Sequence, residues 1–375
     1  MRRIDPRAFL IGLAILAPAA SARADYYAQA NLVSDVPGMA RTLDANLKNP
    51  WGVANAPGGP FWVSNAGSNT STLYDGQGTK AALTVTVPGG PTGQIFNGNA
   101  NDFKLTTGTG AGTSASFVFD TLGGGIYAWN GKAGTLASSE VSGTGAVYTG
   151  LATAQVGSDN VLFAADAKGN KVDVYGGAFQ NLGAAGGSYF GKFVDPTLAS
   201  GYSAFNVANV AGTLFVTYQN NADGSGVVDR FDLAGNFLGR FAGNGPAGPL
   251  LNPWGVVLAP STFGQFGGDL LIGNNDAGTI GAYDPKTGAF LGTINGPDGK
   301  PLINTGLWAI TFGNGARNSD PDTLYIFAGI NGEQDGLIAA ITPSAVPEPT
   351  SALMLGVGSV LALAGVRHRR KRSAA

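Results

Sequence analysis

The chain has 375 residues, 44% of them hydrophobic, with 60 glycines and only 12% charged side chains, which is enough apolar material for a large core and favours turns and short strands over long helices. It has no cysteine and a single histidine, His368, close to the C-terminus, so disulfides, a thiolate nucleophile and, upstream of that residue, Ser-His-Asp chemistry and His-ligated metals are excluded. The formal net charge of −2 conceals an acidic middle: Asp25 to Val346 holds 13 Lys and Arg against 22 Asp and Glu, a balance of −9, so a nucleic-acid partner, which needs a basic footprint, is not expected.

Arg2, Arg3 and Arg7 precede an apolar run from Phe9 to Ala17, which is followed by Pro18 and small residues ending in Ala22-Arg23-Ala24. Positive charge, a short apolar stretch and an A-x-A site are the parts of a secretory signal. The run is too short for a bilayer, which needs about 20 residues. Residues 1–24 are therefore expected to be a signal peptide, read by the Sec machinery and cleaved after Ala24.

The next segment, residues 25–342, is expected to be one all-β domain. Tyr27 to Val33 alternates in the strand manner. Asn49-Pro50-Trp51-Gly52-Val53-Ala54 then recurs as Asn252-Pro253-Trp254-Gly255-Val256-Val257. Downstream, Phe61 to Asn65 is matched by Leu270 to Asn274, and Ser71 to Asp75 by Ile280 to Asp284. Weaker strand pairs lie at 117–119 with 126–129, 161–165 with 171–175, 214–218 with 227–231, and 324–328 with 337–341. Six units with a period near 50 residues and three or four short strands each point to a six-bladed β-propeller. A β-helix needs shorter repeats and a sandwich does not repeat. Tyr27 to Val33 is expected to pair into the last blade and close the ring.

The opening Asn31-Leu32-Val33-Ser34-Asp35-Val36-Pro37-Gly38, the two Asn-Pro-Trp-Gly segments and Asn331-Gly332-Glu333-Gln334-Asp335-Gly336-Leu337 resemble a family of PEP-CTERM-associated propellers, distantly similar to NHL-repeat domains. The resemblance implies an NHL-like propeller over about Asn31 to Ile341 and carries no established activity.

In a propeller the first strand of each blade lines the central channel, and loops at one face form the ligand funnel. Asn49, Trp51, Asn97, Asn206, Asn252, Trp254 and Trp308 fall at or near such positions. Trp stacking and Asn hydrogen bonding suit a sugar. The same residues also suit a packed blade junction with turn-bonding amides. Asn274-Asn275-Asp276 and Asn220-Asn221-Ala222-Asp223-Gly224 offer oxygens to calcium but lack the spacing of a calcium loop, and read as Asx turns. Gly108-Thr109-Gly110 and Gly123-Gly124-Gly125 have no following helix and are turn glycines rather than phosphate cradles. Glu140 and Glu333 are the only glutamates of the body. No catalytic residue, metal ligand or cofactor is assigned.

At the C-terminal end, residues 343–375, Val346-Pro347-Glu348-Pro349 leads into an uncharged stretch from Thr350 to Val366 and then Arg367-His368-Arg369-Arg370-Lys371-Arg372. A helix of about 17 residues reaches about 25 Å, near the lower limit for a hydrocarbon core, and the basic end is expected to stay cytoplasmic. A simple tail anchor fits the hydropathy equally well. Pro347, Glu348, Pro349, the helix near 350–366 and the basic end 367–372 with Arg367, Arg369, Arg370, Lys371 and Arg372 resemble the PEP-CTERM sorting signal. That resemblance implies an exosortase partner in a Gram-negative envelope, passage through the inner membrane, and release or surface attachment after processing.

Together these readings describe an exported, non-enzymatic propeller of the exopolysaccharide matrix with a polysaccharide or protein ligand. The alternative is a calcium-dependent, lactonase-like hydrolase or lyase built from Asp, Asn and Glu. An axis plugged by apolar or amide side chains favours the first, and oxygens converging at the channel mouth favour the second.

Overall fold

The computed structural model describes residues 26–243 and 249–344. The expected signal peptide, the Pro347-Glu348-Pro349 motif, the helix near 350–366 and the basic end 367–372 lie outside the described residues. Among the described residues no helix is long and apolar enough to cross a membrane.

The chain opens with β1 (Tyr26–Ser34) and a short parallel partner, β2 (Thr42–Leu43). Blade 1 is β3 (Pro50–Ala54), β4 (Phe61–Asn65), β5 (Thr70–Tyr74) and β6 (Lys80–Thr86). Blade 2 is β7 (Pro91–Phe96), β8 (Phe117–Thr121), β9 (Ile126–Trp129) and β10 (Ser138–Val141). Blade 3 has three strands, β11 (Tyr148–Val156), β12 (Asp159–Asp166) and β13 (Lys171–Tyr175). Blade 4 is β14 (Tyr202–Val210), β15 (Thr213–Asn220), β16 (Gly226–Phe231) and β17 (Phe237–Ala242). Blade 5 is β18 (Pro253–Leu258), β19 (Leu270–Asn274), β20 (Ile280–Tyr283) and β21 (Phe290–Thr293). Blade 6 is β22 (Leu307–Phe312), β23 (Leu324–Ala328) and β24 (Leu337–Ser344), completed by β1.

These are the six units expected, and the first strands β3, β7, β11, β14, β18 and β22 touch in sequence and back to β3, so the sheets close into a ring. The predicted closure by the N-terminal strand holds: β1 lies antiparallel to β24, from Tyr26 opposite Ser344 to Ser34 opposite Leu337. The last sheet thus runs two residues past the expected boundary at 342. Burial explains why the runs were readable. Middle strands such as β12 and β23 are covered on both faces and read as near-continuous apolar segments, whereas β10 and β21 at the rim are partly exposed and polar or mixed.

Four blades end their third strand on an aromatic residue followed by Asp or Asn: Tyr74-Asp75, Trp129-Asn130, Phe231-Asp232 and Tyr283-Asp284. In each the Asx Oδ1 accepts backbone N–H groups two to four residues on. This Asx turn reverses the chain into the next segment. It is why so many of the acidic residues are structural.

The first strand of every blade carries a β-bulge at the same place. The extra residue falls within Trp51-Gly52, Thr92-Gly93, Thr149-Gly150, Phe205-Asn206, Trp254-Gly255 and Trp308-Ala309. A bulge bends the strand and re-aims its side chains, and here six bulges turn one residue of each blade toward the axis.

Candidate functional site

The residues at the bulges decide what the axis can hold. One ring of positions is Trp51, Thr92, Thr149, Phe205, Trp254 and Trp308. The next is Gly52, Gly93, Gly150, Asn206, Gly255 and Ala309. A Cβ on Gly52 would sit 2.3 Å from the Thr92 carbonyl oxygen, and one on Gly93 would sit 2.2 Å from the Leu151 nitrogen, so adjacent first strands pass closer than any side chain permits. Asn206 fills the space that remains. Its Nδ2 donates to the Trp254 carbonyl at 2.7 Å.

Four of the expected site residues, Trp51, Asn206, Trp254 and Trp308, meet on this plug. Trp51 stacks on Trp308 with ring centroids 3.6 Å apart, Trp254 meets Trp308 edge-on at 6.0 Å, and Phe205 lies 5.6 Å from Trp308. Trp254 Nε1 donates to the Thr149 carbonyl at 2.7 Å and Trp308 Nε1 to Asn49 Oδ1 at 2.9 Å. The three indoles are only 3–6% exposed. They pack on one another, Trp254 also lines the bowl beneath them, and the channel is closed by aromatic rings and an amide.

Asp120 stands opposite the blade 2 bulge, where Thr92 Oγ1 donates to its Oδ1 at 2.7 Å while Oδ2 has no partner. Complete burial pushes its carboxyl up to about 7 against the pull of these hydrogen bonds. A carboxyl that holds its proton more tightly folded than unfolded adds stability that is full below about pH 4 and lost as pH rises through about 7. Urea unfolding should therefore show stability falling between about pH 4 and pH 7, and Asp120→Asn should remove a few kcal/mol of that fall. An unchanged slope in the variant would remove Asp120 as its source.

Below the plug, on the face of the hairpins between first and second strands, all six first strands line a bowl of about 280 Å³ that includes Val53, Ile95, Thr153, Val207, Asn209 and Thr311. A groove of about 590 Å³ shares Thr153 and Asn209 with it and adds Phe96, Asn99, Gln155 and Asn160. No Asp, Glu, Lys or Arg lines either space. Asn97 lies behind this groove rather than at the channel. Its Nδ2 donates to the carbonyls of Asn99 and Ala115 at 2.9 and 3.0 Å, and its Oδ1 accepts from Asn160 Nδ2 at 3.0 Å, so it braces the wall that carries Asn99 and Asn160.

The fold and its lower face invite comparison with known proteins. No family model matches the chain. Uncharacterized protein R648 of Acanthamoeba polyphaga mimivirus is 28% identical over 331 residues, covering 83% of this chain and 78% of that one. Uncharacterized protein L690 of the same virus is 26% identical over 336 residues, covering 84% and 85%. Among solved structures, a structural-genomics protein of unknown function from Bacteroides thetaiotaomicron matches with a TM-score of 0.55 at 10% identity, covering 84% of this chain and 76% of that one. That likeness shows the propeller fold alone.

The opposite, upper face is formed by the loops leading into the first strands and those joining second to third strands. Here Asn49 and Asn252, the openings of the two Asn-Pro-Trp-Gly segments, both adopt left-handed backbone, with φ of 45° and 46°. Each holds a carboxylate. Asn49 Nδ2 donates to Glu333 Oε2 at 3.2 Å, and Asn252 Nδ2 donates to Asp276 Oδ2 at 2.5 Å. Between blades 5 and 6 lies a cavity of about 200 Å³ lined by Asn275, Asp276, Thr305, Glu333, Gly306, Gly329 and Gly332. The loop that delivers Glu333 is left-handed at three successive residues, Asn331 at 54°, Gly332 at 66° and Glu333 at 66°. Such backbone costs a non-glycine residue about 1 kcal/mol or more and persists only where neighbours impose it. Lys48 imposes it here, bonding Asp335 at 3.0 Å and Asp35, while Asn331 Nδ2 donates to Asp335 Oδ2 at 2.9 Å.

The two calcium-like clusters differ in what they do. In 220–224 the side chains are tied up locally: Asn220 Oδ1 accepts from the Ala222 nitrogen and Asp223 Oδ1 from the Ser225 nitrogen and hydroxyl. In 274–276, Asn274 is similarly bonded to Leu251, Pro249 and Thr279, but Asn275 and Asp276 line the upper cavity. Among the described residues no three Asp, Glu, His or Cys side chains are grouped to hold a metal ion.

Proposed function

We infer that this chain is an exported, non-enzymatic propeller that binds a neutral polysaccharide on its lower face. The observation that carries this reading is the lining of the bowl and groove, in which amides and hydroxyls such as those of Gln94, Thr153, Asn209 and Asn160 are set among aliphatic side chains, Trp254 and the half-buried Phe96, without a single charged side chain. Amides and hydroxyls match the donors and acceptors of sugar hydroxyls, and Phe96 offers a ring edge or face to a sugar's C–H surface. General acid–base chemistry needs a titratable group within hydrogen-bond reach of the reacting proton, and neither lower-face space contains one. The plug supports the same reading, because aromatic rings and the Asn206 amide, rather than carboxylates, close the axis. Export is supported by the charged and apolar pattern of residues 1–24, and exosortase sorting and surface display by the resemblance of Pro347 to Arg372 to the PEP-CTERM signal. The alternative of a hydrolase or lyase has in its favour only the paired carboxylates of the upper face.

A glycan array run with residues 25–344 tests the binding reading. It is expected to retain neutral glycans, with Phe96→Ala weakening the best of them about tenfold, or about 1.4 kcal/mol. An array without neutral ligands, or turnover in a parallel lactone and ester screen, would overturn it. Fractionation of cells producing the chain with and without residues 1–24 tests export: the shortened form should remain inside.

A further inference from the structure

The upper cavity has a recognisable set of unmet bonds. One oxygen of Glu333 and one of Asp276 are held by the equivalent asparagines of blades 1 and 5, which aims the two carboxylates without neutralising them. No basic residue lines the cavity. Lys48, the basic side chain that braces this loop, is occupied by Asp35 and Asp335. Burial holds the Glu333 carboxyl above its usual range, and the charge of Asp276 adds to that shift. Beside the two carboxylates stands Asn275, only 5% exposed, whose Nδ2 has no acceptor. A buried amide donor left unpaired costs about 1–3 kcal/mol, and this one belongs to the cavity wall.

We propose that the upper cavity binds a primary ammonium group carried next to an oxygen, as in a 2-amino sugar. The ammonium donates to Asp276 and Glu333, with the Thr305 hydroxyl within the same lining. The adjacent hydroxyl or ring oxygen accepts from Asn275 Nδ2. Two charge-assisted bonds to ionised acceptors give this pairing its strength, and the single donor gives it direction. Calcium meets the charge but not the rest. It takes six to eight oxygens, and among the described residues no three Asp or Glu side chains are grouped to supply them. A bare cation also leaves Asn275 Nδ2 unpaired. The site is on the opposite face from the groove at Phe96, so it stands or falls apart from the binding proposed there.

Isothermal titration calorimetry of the purified chain with glucosamine, N-acetylglucosamine, glucose and calcium chloride tests this. Glucosamine should bind, N-acetylglucosamine and glucose should bind at least tenfold more weakly, and Asp276→Asn, Glu333→Gln and Asn275→Ala should each weaken glucosamine about tenfold or more. Asp276 is exposed, so its variant keeps the test valid if a buried substitution unfolds the loop. Equal binding of all three sugars, heat from calcium alone that Glu333→Gln abolishes, or no glucosamine binding to the folded chain would each overturn the proposal.

Discussion

Replacing Trp308 by alanine is expected to cost about 3–5 kcal/mol, the range for deleting a buried large aromatic side chain, and to lower the melting temperature by several degrees. Trp308 is where the plug converges. Its ring is stacked on Trp51, meets the edge of Trp254 and touches Phe205, so truncation strips three aromatic neighbours of their contacts at once. It also leaves Asn49 Oδ1 without the indole N–H that holds it, loosening the residue that orients Glu333 on the upper face. Trp308→Phe separates the two effects: it retains a ring, loses the hydrogen bond and is expected to cost about 1–2 kcal/mol. Equilibrium urea unfolding of the three proteins decides the matter. A loss under about 1 kcal/mol for the alanine variant would mean that the plug is not what stabilises the axis.

The second large effect comes from the smallest change. Gly93→Ala adds one methyl group, yet that carbon would lie 2.2 Å from the Leu151 nitrogen and 2.9 Å from Asp120 Oδ1. Backbone cannot yield as a side chain does, so blades 2 and 3 must spread, at a cost of about 3 kcal/mol or more. At Gly150 the nearest obstacle is instead the Asn206 side-chain oxygen, 2.0 Å away, with the Asn206 Cα less crowded at 2.9 Å. That amide can turn aside by giving up its bond to Trp254, so Gly150→Ala should cost less. Gly131→Ala, with nothing within 4 Å, is the control and should stay within about 0.5 kcal/mol of the parent. Thermal unfolding should rank the three variants in that order. A neutral Gly93→Ala would show that the first strands do not hold one another this closely.

The bulges also explain which parts of the fold could be read from residues alone. The middle strands announce themselves because both faces are buried, so Val161 to Ala165 and Leu324 to Ala328 are continuous apolar runs. The first strands of blades 2, 3, 4 and 6 do not. Each contains a bulge that breaks the two-residue alternation, and segments such as Pro91-Thr92-Gly93-Gln94 and Tyr148-Thr149-Gly150 have the small and polar residues of a loop. Blades 1 and 5 were exceptions only because Asn-Pro-Trp-Gly repeats almost unchanged.

The site was legible in position but not in exposure. Trp51, Trp254 and Trp308 belong to the axis, as expected, but whether indoles face a channel or each other depends on the ring diameter, which the glycines set. Phe96, Asn99, Gln155, Asn160 and Asn209 went unremarked because they lie at or beyond the ends of first and second strands whose bounds were unclear. Glu333 and Asp276 carried no common motif. What relates them is that Asn49 and Asn252 occupy equivalent places in two blades, and only the spacing of a repeat could have suggested that their partners face one cavity.

The pairing of Tyr26 with Ser344 has a mechanical consequence. Because β1 and β24 run antiparallel and meet at these residues, a force pulling Tyr26 and Ser344 apart loads the ladder one rung at a time, as a zipper is opened, rather than shearing all its hydrogen bonds together. The second rung is the catch. Tyr27 is fully buried, its hydroxyl bonds the Phe263 carbonyl, its ring lies against Phe263 and Phe266, and its nitrogen bonds the Asn295 carbonyl, all of them in blade 5 or just beyond it. Once that one side chain is drawn out, the remaining rungs to Ser34 can yield in turn, so a propeller held at one end and tugged at the other opens first at its seam.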